Sequence, residues 1–570
     1  MIKKINLKFL LALFFFLVIS FYIHKFGFSQ IKDLEFNLDV NSKTTELPSV
    51  FLPNIDLSGR GYHTEVSWPY HLANKEAISR WQSEIGFARG FFRLYFNLWE
   101  IEAVKDDAVL QNTIFFNYEK IIKIISDAGG KVILVLYGIP AGWGQVLDKR
   151  SVPLELKNWQ NYIRRIIYYF SVEKKYNIWY EVWSSPDSED FFLGTKMDYL
   201  NLYEATAKVI KELENKNKLH IPIGGPGTSS WFQNINGNTI FSAEKSLIYE
   251  LIKFCSQRKL PLDFISWHAF SDDPLIEKEL TIYNKYPAEL IRNWLKYFHM
   301  DDNIPLIISE WNYDSGLNWS EERSEKSYLT ASFIPHRLKS MWEAGINYQV
   351  YFCLEDFQNN REGLNINRGI FSYSIDTAYS SNAKSIYNLF LFLSSLGNKF
   401  YGCFSLDEFL QVLATRKNGD IIILVSNYID SHLGRNYIFR HISLLNERDR
   451  KILIRLFRSL DLEKLINGSL DLKNFSLSER FKSLLNKAKQ LQNKVMLFKD
   501  KKRYLKLNLT NLKGTYLYQR YSISKLCVWD CNFLPAEEKI ISCTEGYQED
   551  LEINPYSVEL IILKKEETTP

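Results

Sequence analysis

The sequence predicts an α/β fold: a (β/α)8 TIM barrel followed by a smaller β-rich, β-sandwich-like domain. Between about residues 60 and 400, short aromatic or β-branched runs alternate with longer helical patterns. Such alternation with continuous apolar strands is typical of a parallel sheet that is covered on both faces. About eight repeats in roughly 340 residues are the count of a closed barrel. A second observation is the change after about residue 400, where alternating strands dominate.

The barrel strands are predicted from apolar runs and the helices from amphipathic patterns. A doubly wound sheet is the alternative fold, but no glycine-rich phosphate-binding turn follows the first strand. The predicted strands are Phe91–Asn97, Lys131–Tyr137, Asn177–Trp183, His220–Gly224, Phe264–His268, Leu306–Trp311 and Tyr348–Cys353. The predicted helices are Tyr118–Ala128, Trp159–Phe170, Tyr199–Leu213, Leu247–Cys255 and Ser327–Ala344.

The C-terminal part predicts a β-rich accessory domain. Phe409–Arg416 and Asp420–Asn427 alternate on either side of Lys417-Asn418-Gly419, which is a hairpin signal. Further strands are predicted at Tyr504–Leu509, Tyr516–Tyr521 and Val558–Leu563. Between them, a charged and partly helical stretch reads as an insertion around residues 445–495.

The N-terminus predicts a membrane helix. Lys3, Lys4 and Lys8 precede an apolar run from Phe9 to Ile23, and positive charge before a short apolar stretch is typical of an export signal. No small-x-small cleavage site follows the run. We therefore expect an uncleaved signal anchor, with the lysines inside and the rest of the chain outside.

These patterns divide the chain into four parts. We predict a signal anchor at residues 1–30, a linker and lead-in at 31–60, the barrel at 61–402 and the accessory domain at 403–570. The barrel and the accessory domain are then extracytoplasmic and membrane-anchored, or secreted if the N-terminal segment is cleaved.

Charge and cysteine content exclude several classes of function. The net charge is +4 over 570 residues, and no basic stripe accompanies a nucleic-acid motif, so nucleic-acid binding is disfavoured. The six cysteines form no CxxC pair and no Cys/His cluster with zinc spacing. The sequence as a whole implies neither a metal nor an organic cofactor. Cys527, Cys531 and Cys543 lie close in sequence; one disulfide among them and unpaired buried thiols both stay open.

Candidate site residues stand where the predicted strands end. In a barrel of this kind, working residues lie at the carboxyl ends of the strands, and Arg93, His268 and Glu310 occupy such positions. Glu310 follows four aliphatic or small residues, Leu306-Ile307-Ile308-Ser309. A carboxylate there can attack an anomeric carbon and form a covalent glycosyl-enzyme. A strand that merely becomes polar at the surface would also explain Glu310.

Three segments, taken in order, contain the most specific pattern. They are Tyr180-Glu181-Val182-Trp183-Ser184-Ser185-Pro186-Asp187, Asp263-Phe264-Ile265-Ser266-Trp267-His268-Ala269-Phe270 and Ile308-Ser309-Glu310-Trp311-Asn312. Together they resemble glycoside hydrolase family 39, which includes β-xylosidases and α-iduronidases, over roughly residues 60–410. The corresponding family motifs are Phe-Glu-Val-Trp-Asn-Glu-Pro-Asn/Asp, Asp-Phe-Ile-Ser-x-His-x-Tyr and Thr-Glu-Trp-Asn.

The resemblance assigns roles to the matching residues. Glu310 would be the nucleophile of a retaining mechanism, and Arg93 would keep its carboxylate ionised. Glu181 would brace the barrel. The residues placed around the sugar by the resemblance are Arg93, Trp183, Ser184, His268, Trp311 and Asn312. For Arg93 a core-edge salt bridge, for His268 a hydrogen bond in the wall, and for the two tryptophans simple packing stay as alternatives.

One position departs from the family pattern. The family acid/base is the glutamate of Asn-Glu-Pro, and here those positions hold Ser184 and Ser185. A serine hydroxyl is too weak an acid for this task, which typically contributes about 10²- to 10⁴-fold. Three explanations compete. A nearby carboxylate takes over as the acid, for which Asp187 and Glu189 lie on the same loop and Asp187 is the candidate; the leaving group is acidic enough to need no proton; or the barrel binds sugar without turnover.

The sequence therefore predicts a membrane-anchored glycosidase acting on O-glycosidic bonds of an extracellular or envelope polysaccharide. The alternative is a catalytically impaired pseudo-hydrolase that binds carbohydrate. Both require the Glu310 side chain to face a sugar-sized hollow on the same side as the turn that runs from Trp183 to Asp187.

Overall fold

The fold is taken from a computed structural model, and the predicted anchor at residues 1–30 lies outside the part that it describes. In the described part of the chain, no helix has the length and apolar character needed to cross a membrane. The structure describes residues 34–59, 71–99, 108–140, 142–230, 243–281, 283–313, 326–359, 364–366, 368–372, 382–471, 475–531 and 533–566.

Eight parallel strands close into a barrel in chain order, as predicted. Two differences from the sequence prediction concern the first and fifth strands. The first is the short strand Ile55–Asp56, which lies in the range that we predicted as lead-in. The fifth begins at Ile223 and continues through Gly225-Pro226-Gly227, because pairing with the sixth strand continues past Gly224 and overrides these breaker residues. The strands are β1 Ile55–Asp56, β2 Phe91–Asn97, β3 Lys131–Tyr137, β4 Ile178–Val182, β5 Ile223–Thr228, β6 Phe264–His268, β7 Leu306–Trp311 and β8 Tyr348–Tyr351.

One long helix follows each barrel strand. The helices cover the outside of the barrel, so each strand is buried on both faces and reads as a continuous apolar run. Inside the barrel, Phe91, Ile133, Phe264, Ile307 and Val350 form a closed apolar layer. The helices are α1 Lys75–Glu84, α2 Ala108–Asp127, α3 Leu156–Ile167, α4 Lys196–Asn217, α5 Leu247–Arg258, α6 Pro287–Tyr297, α7 Ser327–Glu343 and α8 Ser385–Ser395.

The accessory domain is a β-sandwich of a seven-stranded and a three-stranded sheet. Its strands are β9 Lys399–Ser405, β10 Leu410–Lys417, β11 Asp420–Asn427, β12 Arg503–Thr510, β13 Gly514–Ile523, β14 Glu537–Cys543, β15 Gly546–Ile553 and β16 Ser557–Lys565. The seven-stranded sheet has the order Thr45–Glu46, β9, β10, β11, β16, β13, β14. Alternate side chains of this sheet enter the sandwich core and the barrel core, so the sheet is buried on both faces.

The three-stranded sheet includes a strand from the N-terminal side of the barrel. Leu34–Asp39 pairs in parallel with β12, and β12 pairs with β15. We predicted residues 31–60 as linker and lead-in, but Phe36 and Leu38 are buried in the sandwich core. The sequence prediction missed this strand because apolar and polar residues alternate over only six positions. So short an alternation identifies a strand only when its partner strand is known.

Among the described residues between β11 and β12, four α-helices are present. They are α9 Leu433–Arg440, α10 Glu447–Arg458, α11 Asp461–Asn467 and α12 Glu479–Phe498, and they share an apolar cluster of their own. Of the three neighbouring cysteines, Cys527 and Cys531 form a disulfide and Cys543 is a buried free thiol. The boundaries of the four predicted parts otherwise stay predictions.

The placement of Leu34–Asp39 gives a testable expectation. Phe36 is buried and its ring centroid lies 5.4 Å from that of Phe404. Because truncating a buried phenylalanine to alanine costs about 3–5 kcal/mol of stability, Phe36→Ala should lower the free energy of unfolding by about that amount in chemical denaturation. The exposed Lys43 of the same segment provides the control, and Lys43→Ala should change stability by no more than about 0.5 kcal/mol. Equal effects of the two variants would contradict the placement of this strand.

Candidate active site

A buried ion network around Arg93 occupies the centre of the barrel. The guanidinium of Arg93 donates hydrogen bonds to Glu181 (Nε to Oε2, 2.7 Å), to Asp56 (Nη1 to Oδ2, 3.0 Å) and to Glu310 (Nη1 to Oε1, 2.5 Å). Arg93, Asp56 and Glu181 are inaccessible to solvent. Alternation along β2 and β4 directs Arg93 and Glu181 inward, above the apolar layer. Glu181 thus braces the barrel, as expected.

Tyr95 provides the second contact to Glu310. Its hydroxyl donates a hydrogen bond to Oε1 of Glu310, the same oxygen that Arg93 binds. The oxygen of Tyr95 also lies 2.7 Å from Oγ of Ser184. A phenol has one proton, so Ser184 donates to Tyr95. Ser184 is therefore joined to Glu310 through Tyr95.

The turn after β4 approaches Glu310 through His268 as well. Oγ of Ser185 lies 3.2 Å from Nδ1 of His268, and the same Nδ1 lies 3.6 Å from Oε2 of Glu310. Burial, aided by the positive charge of Arg93, lowers the pKa of His268 to about 3. The imidazole is therefore neutral near pH 7, and it cannot supply a proton as an imidazolium would.

Glu310 lies on the expected side of the barrel and is more enclosed than expected. It stands at the carboxyl end of β7 and is linked to both serines of the β4 turn by Tyr95 and His268. Only 2% of its surface is exposed. The described residues thus form the floor of the site. The segments 60–70, 100–107, 231–242 and 314–325, which follow β1, β2, β5 and β7, lie outside them.

A β-bulge in β7 directs Glu310 inward. Ile308 pairs with Gln349 and Trp311 pairs with Tyr351, so three steps along β7 match two steps along β8. The β6 pairing shifts at the same place. Strict alternation from the inward Ile307 would direct Glu310 toward the helices, and the extra residue reverses this orientation.

The loop after β6 is held from two sides. On one side, buried Arg337 of α7 donates to Glu277 (2.8 and 2.9 Å) and to the carbonyl of Ala269 (2.8 Å). On the other, Arg440 of α9 forms a buried ion pair with Asp273. The amide of Ala269 in turn donates to the carbonyl of Glu310 at 2.8 Å. The helical insertion therefore helps to fix the strand ends that bear His268 and Glu310.

Five of the six predicted sugar contacts are corrected by the structure, because their side chains are 0% exposed: Arg93, Trp183, Ser184, Trp311 and Asn312. Trp183 and Trp311 are both 0% exposed, so neither ring offers a face for stacking on a sugar. Trp183 packs against Tyr137, 5.0 Å between ring centroids, while the indole nitrogen of Trp311 donates to Gln349 at 2.7 Å. Asn312 is buried and donates to the carbonyl of Phe352 at 2.6 Å. The side chains of Trp183, Trp311 and Asn312 therefore pack or form hydrogen bonds within the barrel wall.

Asp187, the candidate substitute acid, is held by the loop after β5. Its Oδ1 and Oδ2 accept hydrogen bonds from the amide (2.8 Å) and the hydroxyl (2.6 Å) of Ser229. Burial raises the pKa of Asp187 against the effect of these bonds. A raised carboxyl pKa suits a general acid, and its catalytic role stays a prediction.

Sequence reasoning missed Asp56 and Tyr95. Tyr95 lies two residues after Arg93 on the same strand, so alternation alone could have placed both side chains on the inner face. Asp56 belongs to a two-residue strand that gives no pattern. In the part of the chain that the structure describes, no group of three or more His, Cys, Asp or Glu side chains could hold a metal ion.

Comparison with known proteins gives a family match for the barrel. Residues 142–423 match the family model of glycosyl hydrolases family 39. A beta-xylosidase of Geobacillus stearothermophilus is 23% identical over 303 residues, 49% of this chain and 53% of that relative. A beta-xylosidase of Caldicellulosiruptor saccharolyticus is 25% identical over 256 residues, 42% and 48% of the two chains. The chain thus spans about half the length of the curated relatives it matches.

A solved structure shows the same fold. The monomeric beta-xylosidase of Caulobacter crescentus CB15 superposes with a TM-score of 0.60 at 14% identity, covering 94% of this chain and 100% of that chain. The family match contains all three segments on which the sequence resemblance was based. That resemblance is therefore confirmed.

The Arg93 network predicts a pH dependence of stability. Burial raises the pKa of Asp56 to about 7, with Arg93 opposing and Glu310 adding to the rise. An unfolded aspartate loses its proton near pH 4, so between about pH 4 and 7 the folded state binds more protons and stability falls as pH rises. Asp56→Asn removes this dependence. The melting temperature of Asp56→Asn minus that of the unsubstituted chain should therefore increase as the pH is raised from 5 to 8.

The control for this measurement is Asp190→Asn, at an exposed carboxyl. Its melting temperature should follow the unsubstituted chain at every pH. A constant offset between Asp56→Asn and the unsubstituted chain across this range would show that Asp56 does not bind the extra proton.

Proposed function

Because this barrel is related to the glycosyl hydrolases of family 39, we propose that the chain is a membrane-anchored glycosidase. It acts on O-glycosidic bonds of an extracellular or envelope polysaccharide with net retention of configuration. The observation that supports this best is the Glu310 carboxylate, held by Arg93 and Tyr95 at the carboxyl end of β7 beside the β4 turn. Residues 1–30 provide the anchor in this proposal, and the barrel lies outside the cytoplasm.

In the proposed reaction, Glu310 attacks the anomeric carbon through Oε2. Its other oxygen, Oε1, already accepts hydrogen bonds from Arg93 and Tyr95. These two donors stabilise the ionised form and fix its orientation. A bond forms between Oε2 and the anomeric carbon, the glycosidic bond breaks, and its electron pair leaves with the aglycone oxygen. A water oxygen then bonds to the anomeric carbon while the bond to Oε2 breaks, which restores the Glu310 carboxylate, and the proton lost by the water passes to the deprotonated acid or to solvent.

The rate of this reaction is limited by the lack of an obvious acid to protonate the leaving group. Ser185 is too weak an acid, and His268 is neutral with a pKa near 3. Asp56 and Glu181 are fully buried beneath Arg93 and cannot reach a leaving group. Asp187, with its raised pKa, is the carboxyl proposed for this role. Substrates with acidic leaving groups need no such proton and should react fastest.

His268 is proposed to bind a sugar hydroxyl. Its Nδ1 faces Ser185 and Glu310. Its Nε2 is buried and has no hydrogen-bond partner among the described residues. A buried ring nitrogen without a partner is costly, so a substrate hydroxyl at Nε2 would satisfy it. Since two relatives are named beta-xylosidases, β-xylosides are the first sugars to test.

The second candidate function is carbohydrate binding without turnover. Two observations favour it: Ser185 at the acid/base position and the enclosure of Glu310, which is 2% exposed. In this case Glu310 would accept hydrogen bonds from sugar hydroxyls. An activated fluoro-sugar separates the two functions, because only a nucleophile forms a covalent adduct with it.

The nucleophile is tested by Glu310→Gln with an aryl β-xyloside, whose leaving group needs no acid. We expect cleavage to fall to the detection limit, because an amide cannot form the glycosyl-enzyme. Glu189→Gln, an exposed carboxyl of the β4 loop, is the matched control and should retain cleavage. If the unsubstituted chain binds xylo-oligosaccharide but forms no adduct with any fluoro-sugar, the pseudo-hydrolase is correct.

The acid position is tested by Ser185→Glu with an unactivated oligosaccharide. Restoring a carboxyl there should raise kcat about 10²-fold or more while cleavage of the aryl β-xyloside changes little. Ser188→Glu in the same loop is the control. Asp187→Asn should lower the starting activity on the unactivated substrate if Asp187 is the acid. No gain from Ser185→Glu would indicate that the site no longer accommodates an acid at this position.

A further inference from the structure

The helical insertion differs in charge from the rest of the chain. From the start of α9 to the residue before β12, residues 433–502, it contains seventeen lysines and arginines and seven aspartates and glutamates. The complete chain has a net charge of only +4, so the remainder is slightly acidic. A basic element of this kind forms attractive contacts with polyanions.

The end of the insertion exposes apolar side chains among its lysines. Met496, Leu497 and Tyr504 are 59%, 51% and 48% exposed, and Lys499, Lys501 and Lys502 between them are exposed as well. We call these six residues the anchor-side segment. Lysines beside exposed aliphatic and tyrosine side chains are the composition that binds at the interface of an anionic bilayer.

Most lysines of the anchor-side segment are available to bind an external anion. Lys502 forms an ion pair with Glu552. Lys499 and Lys501 have no ion pair within the described residues, and Asp500 is the single acidic residue between Met496 and Tyr504. Two exposed cations, Lys499 and Lys501, therefore lie in the same short segment as three exposed large side chains, Met496, Leu497 and Tyr504.

The chain coming from the predicted anchor enters the fold at this place. The parallel pairing of Leu34–Asp39 with β12 places Leu34 beside Leu505, one residue after Tyr504. Paired strands lie about 4.8 Å apart. The N-terminal end of this strand is thus adjacent to the anchor-side segment.

The tether between anchor and fold is short. Ten residues, 24–33, separate the end of the apolar run at Ile23 from Leu34. Fully extended, ten residues span at most about 35 Å. The anchor-side segment therefore lies within about that distance of the membrane surface when the apolar run that ends at Ile23 is inserted.

We propose that the anchor-side segment rests on an anionic lipid surface and so fixes the orientation of the barrel relative to the membrane. Lysines contact the phosphate groups, while Met496, Leu497 and Tyr504 enter the headgroup region. The proposal depends on the anchoring stated under the proposed function and is independent of hydrolysis.

The test uses the full chain reconstituted into vesicles of phosphatidylcholine alone or mixed with phosphatidylglycerol. Leu497→Cys receives an environment-sensitive dye; the free cysteines of the described residues are buried. Quenching of the dye by spin-labelled lipid should be several-fold stronger in the anionic vesicles. The control is Leu147→Cys, 81% exposed on a barrel loop, whose dye should be quenched weakly and equally in both.

Charge is then reversed in the labelled chain with Lys499→Glu and Lys501→Glu. The chain should remain bound to vesicles through its anchor, while the difference between the two lipid compositions disappears. Equal quenching at positions 497 and 147, unchanged quenching after charge reversal, or a chain that does not bind vesicles would each overturn the proposal. A dye that responds to soluble polygalacturonate and not to vesicles would identify an acidic polysaccharide instead. Loss of glycosidase activity would not affect these readouts.

Discussion

The ion network of Arg93 is the interaction on which the site depends. A buried guanidinium is costly unless carboxylates surround it, and here Asp56 of β1, Glu181 of β4 and Glu310 of β7 do so. One cation among three carboxyls leaves an excess of negative charge, which burial disfavours. Asp56, whose pKa is raised to about 7, is the group able to hold the compensating proton.

This arrangement explains why the barrel is apolar at one level and charged at the next. The layer around Phe91 and Ile307 closes the lower end of the interior. Directly above it, the network joins β2 to strands from three parts of the barrel wall. The position of Glu310 is therefore determined by contacts across the barrel as well as by its own strand.

The barrel and most residues of the Arg93 network could be predicted from the sequence. Continuous apolar runs located seven of its strands, and the resemblance identified Glu310, Arg93 and His268, which the structure brings together. The two-residue strand with Asp56 and the strand Leu34–Asp39 were missed, because both are defined by partners distant in sequence. Trp183 and Trp311 fit a sugar-binding motif by type, yet only packing decides whether an aromatic ring faces a ligand or the wall.

The accessory domain is part of the same core as the barrel. Its seven-stranded sheet contributes side chains to the barrel core on one face and to the sandwich core on the other. The insertion adds the ion pair between Arg440 and Asp273, which holds the loop after His268. A separated barrel would lose both supports, so the two units are best regarded as one structural body.

The bulge in β7 has a consequence for how related chains are compared. Between Ile308 and Trp311 one additional residue decides whether the carboxylate or the indole faces the interior. A homologue could keep every letter of the Ser-Glu-Trp-Asn motif and still lose the nucleophile through a single deletion just upstream. To judge whether a homologue can be catalytic, it is therefore not enough that the glutamate is present. The number of residues between the inward apolar residue of the strand, here Ile307, and the glutamate must also be unchanged.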